Sequence, residues 1–245
     1  MRDMKTILAG LAALALAPVA LATSPAAQAQ EAQADVYVGL YDAMGSAVDM
    51  EVTVDTTVAG FIDAMRQMPF GERPSEAMWK ELAVVMRPLF LEYGERGQAV
   101  IKPEMIAMLR SGLTEEEATY LTEFYLSPLG QKVQRGIGES YDAKSVIGDA
   151  VDSALTGEDG PAIGRAAVEA DITRATMRSL ATLTAEEQAE LARVSSTGTA
   201  FQSLAALQPK MVEIRTRGEN LPMTPDEERR MEAAMTRVFE KYLKR

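Results

Sequence analysis

The sequence predicts an all-α protein, a multi-helix bundle of capped antiparallel helices arranged as two related helical halves. Three observations carry this expectation. Apolar residues recur at 3.6-residue spacing through most of the chain. The stripes begin at recognisable caps, among them Thr114, Thr184 and Thr224, each followed three residues later by a glutamate. A turn-rich stretch at 156–160 separates two segments with similar punctuation.

The chain opens as an export signal. Arg2 and Lys5 form a short basic start, and 7–22 is an apolar run of 16 residues broken by Gly10 and Pro18. Ala27-Gln28-Ala29 follows as an A-x-A cleavage pattern. The run falls short of the roughly 20 residues a spanning helix requires. Residues 1–29 are therefore expected to be a removed signal peptide, with the mature chain starting at Gln30. No twin-arginine pair precedes the run, so the general secretory route is expected. The location this implies is the periplasm of a Gram-negative bacterium, or the space outside it. No later segment is apolar enough to span a bilayer.

Composition narrows the chemistry. The 36 Asp and Glu against 25 Lys and Arg give a net charge of −11. Loss of Arg2, Lys5 and Asp3 with the leader leaves 35 against 23, a net −12 over 216 residues. That length suits one domain or two small ones. An acidic chain repels phosphate backbones, so nucleic acid is not an expected partner. Without cysteine there is no disulfide, thiol nucleophile or acylated anchor, and without histidine the commonest general base and transition-metal ligand are missing. No cofactor or metal site is expected. Stability rests on an apolar core, which a 47% hydrophobic content can supply.

Two helical domains are expected, 36–156 and 161–245. Within 36–58, Val52 and Val54 alternate as in a strand, but Val36, Leu40, Met44 and Val48 recur at helical spacing and no second strand is at hand, so helix is favoured. Ser75 caps a helix striped with Met78, Leu82, Val85, Met86, Leu89, Phe90 and Tyr93, which Pro88 should kink. Pro103 should open a short further helix that Gly112 closes. Thr114 to Glu117 is a capping box, in which hydroxyl and carboxylate satisfy unpaired backbone N–H groups. Ala118, Leu121, Phe124 and Tyr125 form the buried face. Ser127 and Pro128 then restart the chain as a helix carrying Leu129, Val133 and Ile137, and Gly130 leaves room at the corner. Helices are expected over 141–155 and 161–180. The box returns at Thr184 to Glu187, Ser196-Thr197-Gly198 echoes the corner, and Phe201, Leu204, Leu207, Met211 and Ile214 continue the stripe. A third box, Thr224 to Glu227, opens a last helix burying Met231, Met235, Val238, Phe239 and Tyr242.

Leu113-Thr114-Glu115-Glu116-Glu117 followed by Phe124-Tyr125-Leu126-Ser127-Pro128-Leu129-Gly130-Gln131-Lys132 resembles the signature of domain of unknown function 2059. That family comprises small helical domains of exported bacterial proteins, and the resemblance covers roughly 79–137. It implies a helical fold and export, and it brings no reaction. The second copy is weaker, since Arg193-Val194 stands where Phe-Tyr is expected and no proline precedes Gly198.

The densest carboxylates are Glu115, Glu116, Glu117 and Glu123. Glu116 and Glu123 lie seven residues apart on one face, about 10 Å along the axis, wider than the roughly 5 Å or 6.5–9.5 Å of paired glycosidase acids. A convex, solvated face is expected for both, with no cleft to tune a pKa. Tyr125 is expected in the core and Tyr120 at its rim. Ser127 lacks any base to activate it, so capping explains it. Asp149, Asp152, Glu158 and Asp159 lack the offsets of a calcium loop. The methionines, among them Met44, Met50, Met65, Met68, Met78 and Met86, fall on apolar stripes and read as core. Catalytic, cofactor and metal residues are thus expected to be absent. Leu113, Thr114, Glu117, Phe124, Tyr125, Ser127, Pro128 and Gly130 form a structural motif. The function expected is a non-catalytic module binding another periplasmic or envelope protein. A carrier of an apolar small molecule or lipid comes second, and a carboxylate hydrolase third.

Overall fold

The computed structural model describes residues 35–67, 74–143, 145–149 and 163–243. The expected signal peptide, the stretch 156–160, and Met68, Asp152, Glu158 and Asp159 lie outside the described residues. Among the described residues there are nine helices with both ends described, a further helical stretch at 145–149, and no strand.

Helices α1 (Val36–Gly45) and α2 (Met50–Arg66) occupy the segment whose valine alternation resembled a strand. The helix expected over 36–58 is broken at 46–49, where Asp49 caps α2 by accepting from the Glu51 and Val52 N–H groups at 2.9 and 3.4 Å. Val54, Val58, Ile62 and Met65 then form one buried stripe. Helix α3 (Glu76–Gly112) runs 37 residues from its Ser75 cap, with Pro88 and Pro103 both inside. Pro103 therefore opens no separate helix. Both prolines are exposed, as are Val84 and Ala99, whose carbonyls lose their i+4 donors, so water can satisfy them.

Helices α4 (Glu115–Leu126) and α5 (Pro128–Ser140) meet at Ser127. Residues 141–143 are not helical, and Ala143 has φ +48°. Helical backbone resumes at 145–149, where the buried Asp171 carboxylate accepts from the Ser145 N–H at 2.9 Å and the Val146 N–H at 3.0 Å. The cap for this helix start comes from another helix. Then follow α6 (Arg165–Ala181), α7 (Ala185–Ser195), α8 (Ala200–Glu219) and α9 (Pro225–Leu243). Both later capping boxes form. Glu187 and Glu227 donate their N–H groups to the Thr184 and Thr224 hydroxyls at 3.2 Å, and the glutamate carboxylates accept from the threonine N–H groups. The second corner differs from the first. Gly198 turns at φ +71°, and α8 starts with no side-chain cap.

Two apolar clusters hold the helices. The larger joins α1, the C-terminal part of α3, α4, α5, α6, α7 and α8, around fully buried Leu40, Met44, Met108, Leu109, Leu121 and Tyr125. It draws on elements from both sides of 156–161. The smaller joins α2, the N-terminal part of α3 and α9, around Met78, Leu82, Met86 and Val238. Helix α3 is the one element shared by both. Each fully buried aliphatic side chain contributes about 1.5–3 kcal/mol relative to leaving it in water. Met177 is the exception among the described methionines, 51% exposed on α6. No helix among the described residues is long and apolar enough to cross a membrane.

Candidate functional site

The α4–α5 corner is built almost wholly from local bonds. Glu117 donates its N–H to the Thr114 hydroxyl at 3.2 Å and its carboxylate accepts from the Thr114 N–H at 3.0 Å. Leu113 is buried, and its carbonyl accepts from the Tyr37 hydroxyl at 3.0 Å. Ser127 accepts from the Gly130 N–H at 3.1 Å and donates its hydroxyl to the Phe124 carbonyl at 2.7 Å. Pro128 takes the first helical position, where no N–H is needed. A Cβ on Gly130 would overlap the Phe124 carbonyl oxygen and lie 3.0 Å from the Tyr125 Cα. The glycine thus lets α5 fold back against the last turn of α4.

Phe124 stacks edge-on against Phe201 of α8, centroids 5.0 Å apart, and Tyr120 meets the same ring at 6.3 Å. The wholly buried Tyr125 hydroxyl has no hydrogen-bond partner among the described residues, and burial raises its pKa far above the usual tyrosine value.

All three capping-box glutamates reach beyond their own helix. Glu117 also accepts from the hydroxyls of Thr199 and Ser203 at the start of α8, both at 2.7 Å. The Thr114 N–H and these two hydroxyls hold its pKa down at about 2. Glu187 pairs with Lys132 of α5 at 2.7 Å, and Lys132 together with the Thr184 N–H lowers its pKa. Glu227 takes a two-pronged bond from Arg96 of α3 at 2.9 and 3.0 Å. The Thr224 N–H, then Arg96, lowers the Glu227 pKa. Sequence reasoning found the boxes and missed these second partners, which lie too far along the chain for local spacing to show.

Beside the corner, α4, the start of α5 and the end of α7 enclose an open groove of about 540 Å³. Tyr120, Glu123, Phe124, Ser127, Pro128 and Leu129 form one wall, and Glu190, Arg193, Val194 and Thr197 the other. The Tyr120 hydroxyl bridges the walls to the Val194 carbonyl at 3.1 Å. Arg193 and Glu190 pair across 2.6 Å, which lowers the glutamate pKa. This corrects one expectation. Glu123 borders a groove and does not stand on a featureless convex face, because α7 packs beside it. Glu116 is exposed and does not line the groove, so the two carboxylates do not converge.

Asp149 accepts from the Gly164 N–H at 2.8 Å, a structural bond. Among the described residues, no group of three Asp or Glu is placed to hold a metal ion. Two further polar clusters are structural, and their partners distant in sequence, Asp142 and Tyr141, were not legible from spacing. Arg174 joins Asp142 and Asp171 at 2.9 and 2.6 Å, and Arg215 lies over the Tyr141 ring at 5.0 Å beside Glu219.

The fold and this corner define a class, a small helical module whose compact capped turn carries the wall of a surface groove. Residues 99–137 match the bacterial family described as uncharacterized protein conserved in bacteria (DUF2059). The match begins later than the resemblance at 79 suggested, within the C-terminal part of α3, and ends in α5. It contains the whole corner and the Tyr120–Leu129 wall. It includes one copy, and the expected duplication at 183–198 gains no support from it. No curated protein and no solved structure matches the chain.

Proposed function

We propose that the protein is a non-catalytic binding module of the bacterial envelope, acting after export and engaging another protein at the α4–α7 groove. One observation carries the reading. Every groove group that could do chemistry except Glu123 is engaged in internal bonds, which leaves no free acid–base pair there, while the walls that remain are largely apolar. Tyr120 is bound to a backbone carbonyl, Ser127 both donates and accepts within the corner, and Glu190 is paired with Arg193. A general acid or base must instead be free to exchange its proton with a substrate.

A photo-cross-linking side chain at Thr197, in the groove, is compared in cells with one at the exposed Arg229 on α9. Adducts at 197 and none at 229 are expected, on a protein whose N-terminal sequence begins at Gln30. Turnover of a substrate that Glu123→Gln abolishes overturns the reading, as does a chain that still begins at Met1 in the membrane fraction.

A further inference from the structure

We infer that the occupant of the groove is an apolar segment of another protein chain flanked by Lys or Arg, an inference that rests on the binding reading above. The size and walls set the first half of that description. About 540 Å³ falls within the range of 300–1,000 Å³ typical of ligand sites, so the groove takes a few side chains and not a folded domain. Phe124, Pro128, Leu129 and Val194 supply apolar contact.

Charge sets the second half. Glu190 and Arg193 neutralise each other. Glu123 is exposed on the rim and makes no hydrogen bond or ion pair among the described residues, which leaves the groove one negative charge in excess. The C-terminal turns of α4 and α7 both end at the groove, and helix C-termini carry partial negative charge. The opposing N-terminus of α5 carries partial positive charge and offsets part of this, leaving Glu123 as the main source of the excess. Around this lies a chain of net charge −11, or −12 without residues 1–29, whose field attracts cationic segments and repels a second copy or an anionic lipid surface.

The test titrates isotope-labelled protein with three capped heptapeptides of leucine and valine, bearing two lysines, two glutamines or two glutamates, while backbone amide shifts are followed. The lysine peptide is expected to shift amides at 120–129 and 190–197. It should bind about tenfold more tightly than the glutamate peptide at low salt, a gap that closes as salt screens it. Glu123→Gln should weaken it about two- to fivefold, the worth of one exposed ion pair. Thr197→Arg, which fills the groove with a cation on an exposed residue, should abolish binding with an unchanged circular dichroism spectrum. Equal binding of all three peptides at the groove overturns the charge assignment and leaves the binding reading standing. If no peptide moves those amides, both fail. Shifts produced there by phosphatidylglycerol vesicles, or a dimer that Thr197→Arg dissolves, overturn the inference in favour of lipid or of a second copy.

Discussion

Gly130 and Gly39 sit in two helices that share the larger cluster, and they face opposite demands. A Cβ at Gly130 meets backbone, which cannot swing aside, while one at Gly39 meets nothing within 4 Å. Gly130→Ala should therefore cost about 3 kcal/mol, the upper end of overpacking. Gly39→Ala should add about 0.5–1 kcal/mol through helix propensity alone. Urea denaturation of the two variants measures both, and equal midpoints would refute the corner as described. Tyr125 gives a second contrast. Its buried hydroxyl lacks a partner among the described residues, a condition that costs about 1–3 kcal/mol. Tyr125→Phe should raise stability by about 1 kcal/mol, and a loss instead would mean that the hydroxyl holds a buried water. At this scale the sequence was readable wherever a residue's partner lay within four positions, as for Thr114, Ser127 and Gly130. The Tyr125 hydroxyl and the groove beside Glu123 were not readable, because both depend on helices far along the chain.

Helix boundaries were legible for the same local reason. Ser75, Thr114, Ser127 and Thr184 each begin a helix by accepting an N–H three residues on, a bond the spacing encodes. The prolines misled, since an isolated chain does not say whether the ring of Pro103 will face solvent, where a continuous helix tolerates it. Thr114→Ala should cost about 1 kcal/mol, as lost N-caps do. Glu117→Ala should be worse than Glu187→Ala, because α8 has no side-chain cap of its own and depends on Glu117 to hold Thr199 and Ser203. Amide exchange should show it. Glu117→Ala should speed exchange in the first turn of α8, while Glu187→Ala leaves that turn alone.

For the whole molecule, the arrangement of two apolar clusters on one long helix could not be read from any window of sequence, since each cluster gathers helices far apart in the chain. The electrostatics that tie them together predict a pH profile. Glu117, Glu187 and Glu227 each join a helix start to another helix with a depressed pKa. A carboxylate lowered on folding contributes stability that is present above its unfolded pKa and lost as pH falls through the folded one. For Glu117 that window runs from 4.5 down to about 2. With no histidine, nothing comparable titrates between about 5 and 8. Urea midpoints should thus be level from neutral pH to about the isoelectric point of 4.7 and then fall, with Glu117→Gln flattening the fall. A midpoint unchanged at pH 3 would sink this account. The exposure of Met177 has a consequence for oxidative damage. The chain has no cysteine, so thioethers are its only sulfur, and Met44, Met78, Met86 and Met108 lie within 2% of full burial. Among the described methionines, peroxide should convert Met177 to the sulfoxide first and leave the fold intact. Sulfoxide on the buried four, mapped by peptide mass, should appear only once the bundle opens, which makes the sulfur of this protein a chemical record of its unfolding.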